Sequence, residues 1–270
     1  MPIIDRSIVS MFDILGFSSL LCEEDLGKIK DFMIGLEKLT DTNSDGVSSS
    51  GNVSDEFGNI VGKLLESDSK NKLVEYKFAF DTMIYYTVND EERDFYNAIV
   101  VGAKLLAYTY FSIGFPIRGA ISYGKLYVDD KNIFGKSLID AHKYEAKQEW
   151  SGCILSRELV NRFKNTNIFA KMCIDNLLLE YEVPIKVKDK KGCIRIENEK
   201  FYTINWMQYA GKNISLEEFK KQWSSLRKND YVYSEEVKRK LENTVRFREY
   251  SLGIDINDIR NYQVGYTMMI

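Results

Sequence analysis

With 270 residues and 44% hydrophobic content, the chain can bury a sizeable core, as one large domain or as a core with an appendage. A net charge of −3 and an isoelectric point near 5.5 argue against a general nucleic-acid or membrane-surface binder, which needs a basic face; a basic pocket for one nucleotide stays compatible. Cys22, Cys153, Cys173 and Cys193 show no C-x-x-C spacing and read as free thiols of a reducing compartment. The first residues lack a cationic stretch followed by an apolar one, and no apolar run approaches the ~20 residues that span a bilayer. The expectation is a soluble, cytoplasmic protein with no nucleic-acid or membrane partner.

Residues 7–12 are rich in Ile, Val, Met and Phe with little alternation, which predicts a strand buried on both faces. Leu21, Leu26, Ile29, Phe32, Met33 and Leu36 then recur at helical spacing over residues 18–39. Residues 40–55 are polar and rich in Ser, Gly, Asn and Asp, a long loop that serves as a lid or as a plain insertion. A second helix is expected over 56–67, and residues 73–88 read as a hairpin folded at Phe80-Asp81. A long helix is expected over 91–113, capped by Asn89 or Asp90 and stopped by Gly114 and Pro116. Residues 116–127 form a candidate strand pair and 137–149 a helix. This order is the split βαβ, ferredoxin-like layout of an α+β protein. Beyond Arg157 the pattern changes: residues 181–187 and 193–206 read as a hairpin around Asp189-Lys190-Lys191-Gly192, and two helices follow. Ser215 opens one of them, with Glu218 completing a capping box. The division expected is a core over 1–157 and a C-terminal elaboration over 158–270, packed on it as one unit.

Two runs carry chemistry. Phe12-Asp13-Ile14-Leu15-Gly16-Phe17-Ser18 and Lys77-Phe78-Ala79-Phe80-Asp81-Thr82 each end an apolar β-type stretch on an aspartate. Carboxylates delivered from adjacent strand ends can hold two Mg²⁺ ions over a triphosphate. Gly16, Phe17 and Ser18 would open a helix whose free N–H groups receive the phosphates. Either aspartate taken alone reads equally well as a helix or turn cap. Tyr127-Val128-Asp129-Asp130 spells a polymerase palm motif but lacks a second carboxylate strand in palm order, so it reads as an exposed turn. His142, the only histidine, reads as a surface or satisfied polar group without a catalytic role.

Together with Arg118-Gly119-Ala120-Ile121-Ser122-Tyr123-Gly124 and Phe134-Gly135-Lys136-Ser137-Leu138-Ile139-Asp140-Ala141, these runs resemble the catalytic domain of class III nucleotidyl cyclases over residues 7–157. The resemblance implies Mg²⁺ or Mn²⁺, two ions per site, held by Asp13, Asp81 and the carbonyl of Ile14. It places Lys77, four residues before Asp81, and Asn132 at base-reading positions. It also implies a homodimer in which each active site draws residues from both subunits. The chain departs from the family at Phe80, where the family has glycine, and at its transition-state asparagine–arginine pair, which aligns with Ile139 and Lys143. The charge that builds on the α-phosphate still needs a cation. Lys143 and Arg118 are the candidates, Arg118 reading equally well as an ion-pair partner of Glu145 or Asp140. The string from Arg118 to Lys136, with Ala141, Glu145 and Ile154-Leu155-Ser156, looks most like the stand-alone pyrimidine cyclases of bacterial Pycsar antiphage systems. That implies CTP or UTP as substrate and a cyclic nucleotide that activates a separate effector. A purine cyclase, for which Lys77 argues, and an inactive nucleotide-binding module, for which Ile139 and Lys143 argue, are the alternatives.

Overall fold

The structure, a computed structural model, describes residues 3–17, 30, 75–79, 81–209, 214–223 and 234–253. Ser18, the polar loop over 40–55 and, Lys30 apart, the two helices expected before residue 68 lie outside the described residues.

Strand β1 (Ile3–Ile14) is the hub of the sheet. It pairs antiparallel on one side with β3 (Thr82–Tyr86), which forms a hairpin with β2 (Glu75–Ala79); of the expected fold-back at Phe80-Asp81, Asp81 lies in a turn and Phe80 falls outside the described residues. On its other side runs β4 (Ile117–Val128), also antiparallel. The order β2-β3-β1-β4 with all neighbours antiparallel is that of the split βαβ layout, and the molecule is α+β. β4 is one long strand, not the strand pair expected over 116–127, because it stays in register with β1 to Tyr127 apart from a shift between Ile4 and Ser7. A turn over 129–132 then leads into the short β5 (Ile133–Phe134), which folds back on Tyr127 and Val128.

Helix α1 (Glu92–Tyr108) crosses between β3 and β4 and buries Phe95, Ile99, Ala103 and Leu106 against the sheet. Its N-cap is Glu91, not Asn89 or Asp90; the Glu91 N–H donates to the Asp94 carboxylate at 3.0 Å. Helical turns run on to Ile113, as expected, though not as α-helix throughout. The Thr109 hydroxyl donates to the Leu105 and Leu106 carbonyls, and residues Thr109–Ile113 widen into a π turn. Gly114, at φ 76°, ends it as expected. Two close approaches hold α1 and β4 in place. A side chain on Gly102 would stand 2.9 Å from the Ile204 side chain, and one on Gly119 would stand 2.2 Å from the Phe12 ring.

Helix α2 (Lys136–Ala146) ends three residues before the expected 149, since Gln148, Glu149 and Trp150 turn inward and are buried. After β6 (Cys153–Leu155), parallel to β4, come α3 (Arg157–Phe163) and α4 (Asn167–Ile174), capped by Ser156 and Thr166. The expected C-terminal hairpin is β7 (Leu178–Lys188) and β8 (Ile194–Ile204). It joins the main sheet through Ile154 and Thr203, giving the order β2-β3-β1-β4-β6-β8-β7. Helix α5 (Leu216–Gln222) opens on the expected Ser215–Glu218 capping box, and α6 (Glu235–Gly253) follows. One apolar cluster runs from Ile8 and Phe12 through Leu106 and Ile154 to Phe201, Trp206 and Phe247. No helix among the described residues is long and apolar enough to cross a membrane.

Candidate active site

The register of β1 assembles the site. Asp13 sits opposite Thr82 on one neighbour and opposite Arg118 on the other. Directly opposed residues of an antiparallel pair project on the same face, so the carboxylate and the guanidinium emerge side by side. Asp81 enters from the turn before Thr82, and its carbonyl accepts the Ile14 N–H at 3.2 Å. Leu15 N–H donates to the Pro116 carbonyl, and Gly16 then turns the chain at φ 78°, a conformation that favours glycine. Asp13, Ile14, Asp81 and Gly16 are thus brought together. The Phe17 side chain is buried in the core, which leaves only its backbone for phosphate contact.

Arg118 is 8% exposed and fully engaged. Its Nε and Nη2 reach Glu145 Oε1 at 2.6 and 2.5 Å, its Nη1 donates to the Gln148 carbonyl at 2.7 Å, and Nη2 lies 3.5 Å from Asp13 Oδ2. Of the two ion-pair partners weighed for it, Glu145 is the one used. Asp140 instead pairs with Lys136 on its own helix. Gln148 is oriented by its amide, which donates to the Gly119 and Tyr144 carbonyls and accepts from Trp150 Nε1. His142 is exposed and approaches Glu145 at 3.8 Å. Lys143 and Ile139 lie exposed on the same helix, Ile139 at 54%.

Asp13 is raised from 3.8 to about 7. Burial is the largest cause, followed by repulsion from Glu145 and then Asp81, with Arg118 and Lys240 pulling the other way. Among the described residues no three His, Cys, Asp or Glu side chains are grouped to hold a metal unaided. The donor set on offer is two carboxylates and a carbonyl. That partial shell suits Mg²⁺ when phosphate oxygens complete it, so the residues present fit the ion.

Lys77 and Asn132 meet elsewhere, at the turn after β4. Lys77 Nζ donates to the Asp129 carbonyl, while the Asn132 backbone and side-chain amides donate to the Asp129 carboxylate at 2.6 and 3.1 Å. Those amides and the Lys131 N–H hold the Asp129 carboxyl down at about 2, the Asn132 side chain contributing most. Of the palm-like tetrapeptide expected as an exposed turn, Tyr127 and Val128 instead close β4 half-buried, and the exposed turn begins at Asp130. It follows the end of β4 that pairs with Ile3, at the opposite end of β1 from Asp13. Sequence reasoning missed Gln148, Glu236 and Lys240. The last two border the Gly16 turn from a helix more than 200 residues downstream, and no local signal could have pointed to them.

No family model and no curated protein matches the chain. Among solved structures it is similar to the catalytic core of a rhodopsin-guanylyl cyclase with converted specificity in complex with ATPαS, at a TM-score of 0.44 and 12% identity over 75% of this chain and 96% of that one. It is also similar to an adenylate/guanylate cyclase/hydrolase from Silicibacter pomeroyi, at a TM-score of 0.39 and 12% identity over 74% and 96% of the two chains.

Proposed function

We propose that the chain is a divalent-metal-dependent nucleotidyl cyclase of class III type that converts CTP or UTP to the 3′,5′-cyclic monophosphate and pyrophosphate. The observation that supports this most is the convergence of Asp13 and Asp81 from adjacent strand ends, with the Asp13 carboxyl raised to about 7 in part by its acidic neighbours. Two carboxylates held this close repel each other unless a cation joins them. Asp13, Asp81 and the Ile14 carbonyl would hold Mg²⁺ or Mn²⁺. Such ions, when bound, activate the ribose 3′-hydroxyl and balance the charge of the phosphates.

In the reaction the 3′-oxygen bonds to the α-phosphorus, its proton departs, and the bond to the bridging oxygen of pyrophosphate breaks. Gly16, Phe17 and Ser18 present backbone N–H groups to the phosphates. Arg118, its donors occupied by Glu145 and Gln148, is a positioning residue that orients Asp13. Lys143, exposed on α2, is the cation for the α-phosphate, a point charge in place of a guanidinium fork. Lys77 and Asn132, gathered at the far turn, read the base in a site completed by a second subunit, so a head-to-tail homodimer carries two sites. By its resemblance to pyrimidine cyclases of antiphage systems, the product activates a separate effector, and a rise of that product in phage-infected cells tests the role.

A second reading, an inactive nucleotide-binding module, is favoured by the engagement of Arg118 and by exposed Ile139 at the position of the family's asparagine. Incubating the pure protein with each of four labelled triphosphates and Mn²⁺ separates the readings. A cyclic product from CTP or UTP alone is the expected result. A product from ATP or GTP makes it a purine cyclase, and no product from any of the four favours the binding module. Mixing Asp13→Ala with Lys143→Ala subunits should restore turnover if sites are shared.

A further inference from the structure

We propose that Lys240, on the C-terminal helix α6, binds the terminal phosphates of the nucleoside triphosphate, which makes the elaboration beyond residue 157 part of the catalytic site. The inference rests on the nucleotide reading above and extends it to a residue outside the stretch that resembles the cyclase domain.

A cavity of about 140 Å³ lies behind the turn that follows Asp13 and Ile14. Leu15 and Gly16 form one wall, Glu236 and Lys240 the other, and Phe115 and Trp223 contribute apolar surface. The Lys240 side chain is only 13% exposed. An ammonium so withdrawn from water needs a counter-charge, and Glu236 Oε1 supplies one at 2.8 Å. That bond is the main reason the Glu236 carboxyl sits down at about 2, and Lys186 stands 3.5 Å from the same oxygen. The charge of Lys240 also reaches the Asp13 carboxyl across the turn.

The backbone of Lys240 is tied by a chain of hydrogen bonds into the catalytic strand, while Glu236 holds its ammonium. The Thr244 hydroxyl donates to the Lys240 carbonyl at 2.8 Å and accepts the Ser151 N–H at 2.9 Å. The Ser151 hydroxyl in turn donates to the carbonyl of Ile117, the neighbour of Arg118 and register partner of Ile14. The preceding residue, Arg239, grips buried Glu149. Lys240 is therefore held against the Asp13–Gly16 turn by the same strands that position the carboxylates. A largely desolvated ammonium beside the Gly16 turn is a site for phosphate oxygens. The carboxylates of Asp13 and Asp81 would be the first groups the triphosphate meets, and Lys240 the last.

The test uses the 3′-deoxy form of whichever triphosphate the four-nucleotide assay selects, so that binding is read without turnover, and the matching nucleoside monophosphate as control. Calorimetric titration in Mg²⁺ is run on the wild type, Lys240→Met, Lys240→Gln and Lys240→Arg, with thermal melts to confirm folding. Loss of a charge-assisted bond should weaken triphosphate binding on the order of ten- to a hundredfold in the Met and Gln variants. Monophosphate affinity should stay unchanged, and the Arg variant should recover most of the loss. Equal weakening of both ligands, or unchanged triphosphate affinity in a folded Met or Gln variant, overturns the inference. A wild type that binds triphosphate and cyclises it while these variants bind as tightly overturns this inference alone. A wild type that binds no triphosphate overturns the nucleotide reading as well.

Discussion

Glu145 and Glu149 lie four residues apart and are both buried, yet their surroundings are opposite in sign. Glu149, fully buried, is one carboxylate between two cations: Lys186 Nζ at 2.7 Å, and Arg239, whose Nε and Nη2 bind the other oxygen at 3.1 and 2.7 Å. Its backbone is satisfied as well, by Pro184 and Asn243. Glu145 shares a single guanidinium, that of Arg118, with Asp13, and Asp81 adds a third negative charge nearby. Exposed His142 approaches Glu145 only at 3.8 Å. The first cluster is over-compensated and fastens β7 and α6 to the segment after α2. The second is short of positive charge, and burial, together with the unbalanced acidic neighbours, raises the Asp13 carboxyl to about 7. A buried cluster that is balanced serves stability; one left unbalanced invites a cation.

The largest expected effect breaks the acidic cluster. On the proposed reading, Asp13→Ala or Asp81→Ala removes a ligand for a divalent ion, worth several kcal/mol of charge stabilisation. Steady-state turnover should fall by more than about 10³-fold while the circular dichroism spectrum stays that of the wild type. Retention of near wild-type rates in either variant would remove the two-carboxylate assignment.

Next comes the balanced cluster. Glu149→Ala leaves Lys186 and Arg239 partly exposed but without their partner. Breaking a buried pair in this way should lower unfolding free energy by about 3 kcal/mol in a denaturant titration. Turnover per folded molecule should fall far less than in Asp13→Ala or Asp81→Ala, because Asp13 does not touch Glu149, which reaches the site only through Arg239 beside Lys240. A variant that kept its stability but lost turnover would mean that the two clusters have exchanged roles.

Much of this contrast was legible in the sequence only on one side. The two aspartates announced themselves because each ends an apolar strand, a local pattern. The hairpin around Asp189–Gly192 and the Ser215–Glu218 cap were legible for the same reason: turn and cap chemistry is written within four residues. Glu149 gave no such sign. Its partners lie 37 and 90 residues further on, and its burial follows from β8 joining β6 at Ile154 and Thr203, a non-local pairing. The same limit hid Lys240. The helical pattern through residues 109–113 and the stop at Gly114 were legible, but not the widening of those residues into a π turn, where the Thr109 hydroxyl bonds back to the Leu105 and Leu106 carbonyls.

The smallest expected effect sharpens the comparison by making loss of a site residue stabilising. In Asp13→Asn the amide keeps the shape of the carboxyl without its charge. The wild-type carboxyl is raised from 3.8 to about 7 on folding, so its contribution to stability is fully present below about pH 4 and lost as the pH rises through 7. The amide does not titrate. Below pH 4 the two proteins should therefore be equally stable; across pH 4 to 7 the variant should draw ahead, and above pH 7 the gap should level off. The shift sets its upper bound, with the attraction to Arg118 already counted in it, and water reaching the partly exposed carboxylate holds the gain to about 1–2 kcal/mol. Glu149→Gln, at a carboxylate already balanced by two cations, should instead lose stability. Chemical denaturation of both variants from pH 3.5 to 8 in chelator measures this, and Mn²⁺ should then close the Asp13→Asn gap by stabilising only the wild type. A gap independent of pH, or one that Mn²⁺ leaves untouched, would mean that the charge at Asp13 is already balanced within the chain.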